Sequence, residues 1–186
     1  MNNYDNAINE LLLAEDWKSA VAGGLLGLGA LTGGTPDVEA GEPTAQVSTN
    51  QRETKGIRNN NPGNIEVGGD KWYGAVSDDG RFLIFKGALH GIRAVAKLIR
   101  TYEAKYNLNT IEGIITRWAP PKENDTESYI KSVAQKTGIK RDAKLNINND
   151  TTMMKLVNAI IAHENANYRY NQSVVKGAVD LAKKDL

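Results

Sequence analysis

From Gly87 onward the chain repeats its apolar positions at helical spacing. Ile92, Val95, Ala96, Ile99, Tyr102 and Tyr106 form one stripe, and Ile111, Ile114, Ile115 and Trp118 form the next. Asn109 with Glu112 three residues on fits a helix start, and Pro120-Pro121 ends that helix. A third helix is expected from about Asn124 to Thr126, carrying Tyr129, Ile130, Val133 and Ala134 and stopping at Gly138. A fourth begins near Asp150 with Met153, Leu156, Val157, Ile160 and Ile161 on one face. The tail from Ser173 suggests a last, weaker amphipathic helix. Ahead of Gly87 the pattern changes. Gly56 to Ile65 reads GIRNNNPGNI, dense in turn formers and with no helix expected. Ile65 to Val67, Trp72 to Val76 and Arg81 to Lys86 are strand-like, separated by Gly68-Gly69-Asp70 and Ser77-Asp78-Asp79-Gly80. The expected fold is therefore α+β, mainly α: a small antiparallel hairpin region followed by about four to five helices.

Composition divides the chain into parts. Residues 1–34 form an apolar, Gly-rich leader, and Ser19 to Pro36 contains no charged residue. That length approaches a membrane span, but its hydrophobic weight rests on a few Leu and Val. A membrane-active leader or an assembly anchor fits it better than a stable span. Residues 35–54, with Pro36, Pro43 and several Thr, read as a flexible linker that cannot bury enough surface to fold alone. Residues 55–172 form the expected globular domain and 173–186 a C-terminal amphipathic tail helix. The start, Met1-Asn2-Asn3-Tyr4-Asp5, lacks the basic segment of a standard signal peptide.

Charge and rare residues narrow the chemistry. The net charge is +1, from 23 basic and 22 acidic residues, so no long-range field draws in nucleic acid and no specific nucleic-acid binding is expected. The absence of cysteine excludes disulfides, thiolate metal sites and thiol nucleophiles. With two histidines, His90 and His163, a His-rich metal site is not expected. His163-Glu164 lacks the second histidine of a metalloprotease helix, because position 167 is Asn167. Neither a phosphate-binding Gly-rich loop nor a G-x-S-x-G nucleophile elbow occurs.

Glu164 is the first candidate for catalysis. It continues the apolar stripe that begins at Met153, so its carboxyl points toward the core side at a helix end. Burial there would disfavour the charged form and raise the pKa, which suits protonation of a glycosidic oxygen. The alternative is a carboxylate at a fraying helix end. His163 beside it orients Glu164 or substrate, or is a histidine at the core edge. Glu123 follows the Trp118-Ala119-Pro120-Pro121 bend and is either a cleft residue or a charge favoured near a helix N-terminus. Asn124 and Glu127 have capping-box spacing. The run Asn59, Asn60, Asn61 and Asn64 concentrates amides that match sugar hydroxyl and acetamido groups in both directions. Trp72, Tyr73 and Trp118 offer flat apolar faces for sugar rings. The alternative is an Asx-rich turn followed by core aromatics.

These blocks in order resemble a family of bacteriophage virion proteins with a lysozyme-like, peptidoglycan-degrading domain. The resemblance is carried by Gly56-Ile57-Arg58-Asn59-Asn60-Asn61-Pro62-Gly63-Asn64-Ile65, Trp72 and Gly74, Phe82 and Phe85, and Gly91-Ile92-Arg93-Ala94. It continues through Thr110-Ile111, Ile114-Ile115, Arg117-Trp118-Ala119-Pro120-Pro121, Glu123-Asn124, Thr126 and Tyr129-Ile130, and ends on Ala159-Ile160-Ile161 with His163-Glu164-Asn165. It covers about Lys55 to Tyr170. It implies a virion component, in the tail or ejected from the interior, that opens the cell wall locally in the host envelope during genome entry. The implied partners are peptidoglycan, other virion proteins and, through residues 1–34, the host membrane. Glu164 and Glu123 would be catalytic, and Asn59, Asn60, Asn61, Asn64, Trp72, Trp118, Asn124, Tyr129 and His163 would bind glycan, with no cofactor or metal required. The order of elements also looks like the glucosaminidase and lytic transglycosylase branch, which places its glutamate on a helix before the hairpin. Here the suitable helix comes last, which implies a circular permutation with Glu164 in that place. Glu66 and Glu53 compete for the role. The other reading is a non-catalytic structural or ejection protein with a glycan-binding domain and a membrane-active leader.

Overall fold

A computed structural model of the chain describes residues 53–184. The leader, and the linker up to residue 52, lie outside the described residues. Eight elements follow in order: α1 (Lys55–Arg58), β1 (Ala75–Asp78), β2 (Leu83–Phe85), α2 (Ala88–Tyr106), α3 (Ile111–Trp118), α4 (Thr126–Thr137), α5 (Asp150–Glu164) and α6 (Gln172–Leu181). The fold is α+β and mainly α, with one two-stranded antiparallel sheet.

The helical stripes enclose the main core. Ile92, Val95, Ala96 and Ile99 of α2 meet Ile111, Ile114 and Ile115 of α3, Tyr129, Ile130 and Val133 of α4, and Met153, Leu156, Val157, Ile160 and Ile161 of α5. Period 3.6 places these residues on one face of each helix, and burying those faces together stabilises the bundle more than helix propensity does. Tyr106 ends the α2 stripe exposed, and the Arg117 guanidinium covers its ring at 3.6 Å. Asn107 then stops α2 in the left-handed region at φ 53°. Leu145 and Ile147, in the loop before α5, complete the core without belonging to any helix.

Several boundaries differ from the sequence expectation. The domain opens on the short helix α1, although only turns were expected over Gly56 to Ile65. The cap of α3 is Thr110, whose side chain accepts from Gly113 N, and not Asn109. Asp125 caps α4 in place of Asn124, accepting from Ser128 N. In both cases the residue one step nearer the helix has its side-chain oxygen within reach of the third helical N–H. The tail helix α6 is no appendage. It packs against α2 and α5 and buries Val175, Ala178, Val179 and Leu181.

The hairpin is shorter and more irregular than its hydrophobic alternation suggests. Ala75 pairs with Phe85 and Asp78 with Leu83, with a bulge at Val76, and Glu66 makes one bridge to Phe82. It packs on α2 through a second apolar cluster of Ile65, Phe85 and Ala94, joined by Trp72, Ala75, Leu83 and Leu98. The hairpin and the asparagine turn thus form one wall of a cleft. The other wall is helical.

Candidate functional site

α5 delivers the central side chain. Seven buried residues from Met153 to Ala162 fix the helix in the core, and Glu164 is its last residue. There the carboxylate meets three donors from three separate parts of the chain. Tyr129 Oη of α4 donates to Oε1 at 2.7 Å. Trp118 Nε1 at the end of α3 donates to the same oxygen at 3.2 Å. Asn64 Nδ2 of the asparagine turn donates to Oε2 at 2.9 Å. Backbone dipoles at a helix C-terminus oppose a negative charge, and convergent donors offset that effect.

Tyr129 is only 3% exposed. Burial, and then the neighbouring Glu164 charge, push its hydroxyl far above the usual phenol range, so it remains a proton donor toward Glu164. The His163 imidazole stacks on the Tyr129 ring, with centroids 3.6 Å apart and planes 15° apart. Burial holds His163 below its ordinary value, Glu164 and Asp125 pull it up, and Lys136 pushes it down.

Glu164 stands on the wall of a cleft of about 470 Å³. Asn64, Glu66, Arg81 and Phe82 line the hairpin side; Trp118, Pro120, Glu123 and Asn124 line the helical side; Leu98 and Tyr102 contribute from α2. A second cavity of about 170 Å³ adjoins Glu164 and is lined by Asn124, Asp125, Ser128, Tyr129 and His163. The fold therefore brings together Glu164, Glu123, Asn64, Trp118, Asn124, Tyr129 and His163 of the sequence-derived set. Glu123 is exposed at the cleft rim, where its backbone N–H bonds Pro120 O. Glu66 also lines the cleft and pairs with Arg81 at 2.8 Å. Glu53 does not line it.

The remaining amides have other tasks, which corrects the expectation that the whole run faces glycan. Asn61 is fully buried. Its amide donates to the carbonyls of Ile65 and Leu83, and its Oδ1 accepts from Ile65 N. All its hydrogen-bonding capacity on that side is spent on the backbone of the hairpin. Asn60 Nδ2 donates to Phe85 O at 3.2 Å, and Asn59 Nδ2 to Asp79 Oδ2 at 2.7 Å. Trp72 packs on the Ile65, Phe85 and Ala94 cluster. None of Asn59, Asn60, Asn61 and Trp72 lines the cleft. Two of the asparagines, Asn60 and Asn64, sit at φ 50° and 48°, a backbone region that asparagine tolerates better than most residues.

Asn165 is a structural contributor that sequence reasoning left without a role. It is buried, donates to Pro62 O and Ile161 O, and accepts from Thr54 Oγ1 at 2.6 Å. It ties the end of α5 to the asparagine turn, and so sets the Asn64 to Glu164 distance. Its place in the His163-Glu164-Asn165 block was the available signal. Gly63 lets the turn approach: a Cβ there would lie 2.7 Å from Val95 Cγ2 and 3.2 Å from the Trp118 ring. Among the described residues no cluster of His, Cys, Asp or Glu has metal-binding geometry, and no helix is long and apolar enough to cross a membrane.

Fold and site together define a mainly helical α+β domain built around a hydrogen-bonded glutamate in a polar cleft. No protein-family model matches the chain. It is 49% identical over 127 residues to Protein P5 of Pseudoalteromonas phage PM2, covering 66% of this chain and 78% of that protein. The chain belongs to the family of this bacteriophage protein.

Proposed function

We propose that the domain is a virion-borne peptidoglycan-degrading enzyme, a lytic transglycosylase or a muramidase or glucosaminidase-like hydrolase, with Glu164 as its catalytic acid. The observation that carries this reading is the convergence of Tyr129, Trp118 and Asn64 on one carboxylate at the wall of a cleft. Preorganised donors fix a catalytic group in one orientation before substrate arrives. The phage relative agrees with an origin in a virus that must pass a bacterial envelope.

In this mechanism a glycan strand lies along the cleft with a glycosidic oxygen at Glu164. Glu164 in its acid form protonates the leaving oxygen. Trp118 offers a ring at the cleft wall for a sugar face, and Asn64 and Asn124 offer amides at its edges. In a transglycosylase the same carboxylate next acts as base while a hydroxyl of the sugar attacks, and no second carboxylate is needed. In a hydrolase Glu123, or Glu66 across the cleft, activates water or attacks, and the separation of the carboxyl groups sets inversion or retention. A lysozyme-like fold with its glutamate helix permuted from before the hairpin to behind it is part of the same proposal.

The test is zymography on purified peptidoglycan with the full chain. Clearing by the wild type that disappears in Glu164→Gln supports the assignment. Full clearing by Glu164→Gln would remove Glu164 from the chemistry, and an inert wild type that still sediments with peptidoglycan would leave a glycan-binding protein in place of an enzyme. Mass spectrometry of the products separates the anhydro ends of a transglycosylase from the reducing ends of a hydrolase.

A further inference from the structure

Tyr129 makes the shortest of the three hydrogen bonds to Glu164, at 2.7 Å. A phenol ring can tilt about its side-chain torsions, so the direction of that bond depends on what holds the ring. His163 covers one face of it, near-parallel at 15° and with centroids 3.6 Å apart. His163 is the neighbour of Glu164 on α5. One helix end therefore carries both the acceptor and the ring that clamps the donor. A face-on stack restrains tilt while leaving the hydroxyl free to point at its acceptor.

We propose that His163 is a positioning residue, which acts on the reaction by holding the Tyr129 hydroxyl on Glu164 through the ring stack. This rests on the reading of Glu164 as the catalytic carboxylate. The stack is also able to sense pH. His163 borders the second cavity together with Asp125 and Ser128, which gives its ring a route to solvent. The charged groups facing it are Glu164 on its own helix, Asp125 at the cap of α4 and Lys136 from α4. Burial and Lys136 favour the neutral ring; Glu164 and Asp125 favour the cation. An imidazolium there would place a positive charge beside Glu164 and compete with the Tyr129 hydroxyl for its carboxyl. Activity should then fall on the acid side as His163 takes up its proton.

Two measurements on the full chain test this. The first compares steady-state rates on soluble peptidoglycan fragments for wild type, His163→Ala and His163→Phe across the acid-to-neutral range. His163→Ala should lower kcat about tenfold with KM within about twofold, because the stack orients a catalytic group and does not bind substrate. His163→Phe keeps a flat ring and should retain kcat within about threefold while losing the contribution of His163 to the acid limb of the pH profile. Wild-type kcat and pH profile in His163→Ala would overturn the proposal. So would a His163→Phe variant as impaired as His163→Ala, since a stacking role tolerates Phe. The second measurement follows the His163 imidazole by NMR titration and needs no activity. Glu164→Gln should lower the His163 titration midpoint, and an unchanged midpoint would overturn the proposed coupling. An inactive wild type would sink the glycosidase reading alone, leaving the NMR result to decide the coupling of His163 to Glu164.

Discussion

Asn64 donates its side-chain amide to Glu164 Oε2 at 2.9 Å across a sequence separation of 100 residues. This bond joins the asparagine turn to the end of α5, and it closes the cleft around one carboxylate. Asn64→Ala removes a donor to the proposed catalytic carboxyl and leaves the α5 stripe intact. Its kcat on peptidoglycan should fall about tenfold, consistent with about 1.5 kcal/mol for a hydrogen bond to a charged group. Because Asn64 also occupies a left-handed position, Asn64→Gly is the companion variant that separates lost donor from backbone strain. Equal kcat in Asn64→Ala and wild type would show that the amide does not organise the site.

Trp118 serves the cleft twice, as a ring on its wall and as an N–H on Glu164 Oε1. Trp118→Phe keeps an aromatic face and removes the donor. KM should change within about threefold while kcat falls by about fivefold to tenfold, the pattern of an interaction stronger in the transition state than in the ground state. A KM rise with unchanged kcat would instead assign Trp118 to sugar binding only.

The asparagine run divides into members that hold the hairpin and one that lines the cleft, and stability measurements reveal the division. Asn61 makes three side-chain hydrogen bonds, two of them buried, so Asn61→Ala removes a donor from the carbonyls of Ile65 and Leu83 and the acceptor of the Ile65 N–H. The expected loss is about 2 to 4 kcal/mol by urea denaturation. Asn59→Ala removes one exposed bond to Asp79 and should cost about 1 kcal/mol or less. Similar losses for the two variants would contradict the burial assigned to Asn61.

Gly74 has φ 79°, and a Cβ built on it would lie 2.1 Å from His90 Cδ2. Gly91 packs where a Cβ would meet Asn60 O at 1.9 Å. Gly74→Ala combines backbone strain with a clash, and Gly91→Ala forces α2 off the asparagine turn. Each should destabilise by about 2 kcal/mol or more. Gly68→Ala, with open space around it, serves as the control and should leave the thermal midpoint nearly unchanged.

Acid should destabilise the domain in two windows. His90 is buried, and burial first, then Lys86 and Arg93, holds its pKa below the ordinary 6.5. The unfolded chain therefore binds a proton before the folded one, and stability falls as pH drops from about 6.5 toward the lower folded value. Hydrogen bonds from Phe82 N, then Asn59 and Lys55, hold Asp79 well below its ordinary 3.8, so its contribution is lost only in more acidic solution. Thermal midpoints measured against pH should show both steps, and His90→Gln should weaken the upper one. A flat profile between neutral pH and about pH 5 would contradict the buried, neutral His90.

Much of the fold was legible because its stripes are regular. Met153, Leu156, Val157, Ile160 and Ile161 fall on one side of any helix drawn through them, and the structure buries all five. The same periodicity aims Glu164 at the core side, where Tyr129, Trp118 and Asn64 hydrogen-bond its carboxyl. Asn109 and Asn124 were less legible as caps, since the neighbouring Thr110 and Asp125 carry equally good acceptors and backbone geometry alone chooses between them. The embedding of α6 was also hidden. Its apolar face reads as weakly amphipathic, and only the presence of α2 and α5 beside it gives that face something to cover.

By itself the sequence determined the class of fold, the order of its main elements and the carboxylate at the end of the α5 stripe. Those properties depend on near neighbours along the chain, through helical period and turn chemistry. Tertiary structure alone decided which amides face the cleft and which hold the hairpin. Asn61 and Asn64 are the same residue type three positions apart, and their roles are set by whether the nearest acceptor is a backbone carbonyl of Leu83 or the carboxylate of Glu164. The acceptor in each case comes from a distant part of the chain. No local pattern encodes that choice, because it depends on how the hairpin, the asparagine turn and the end of α5 pack against one another.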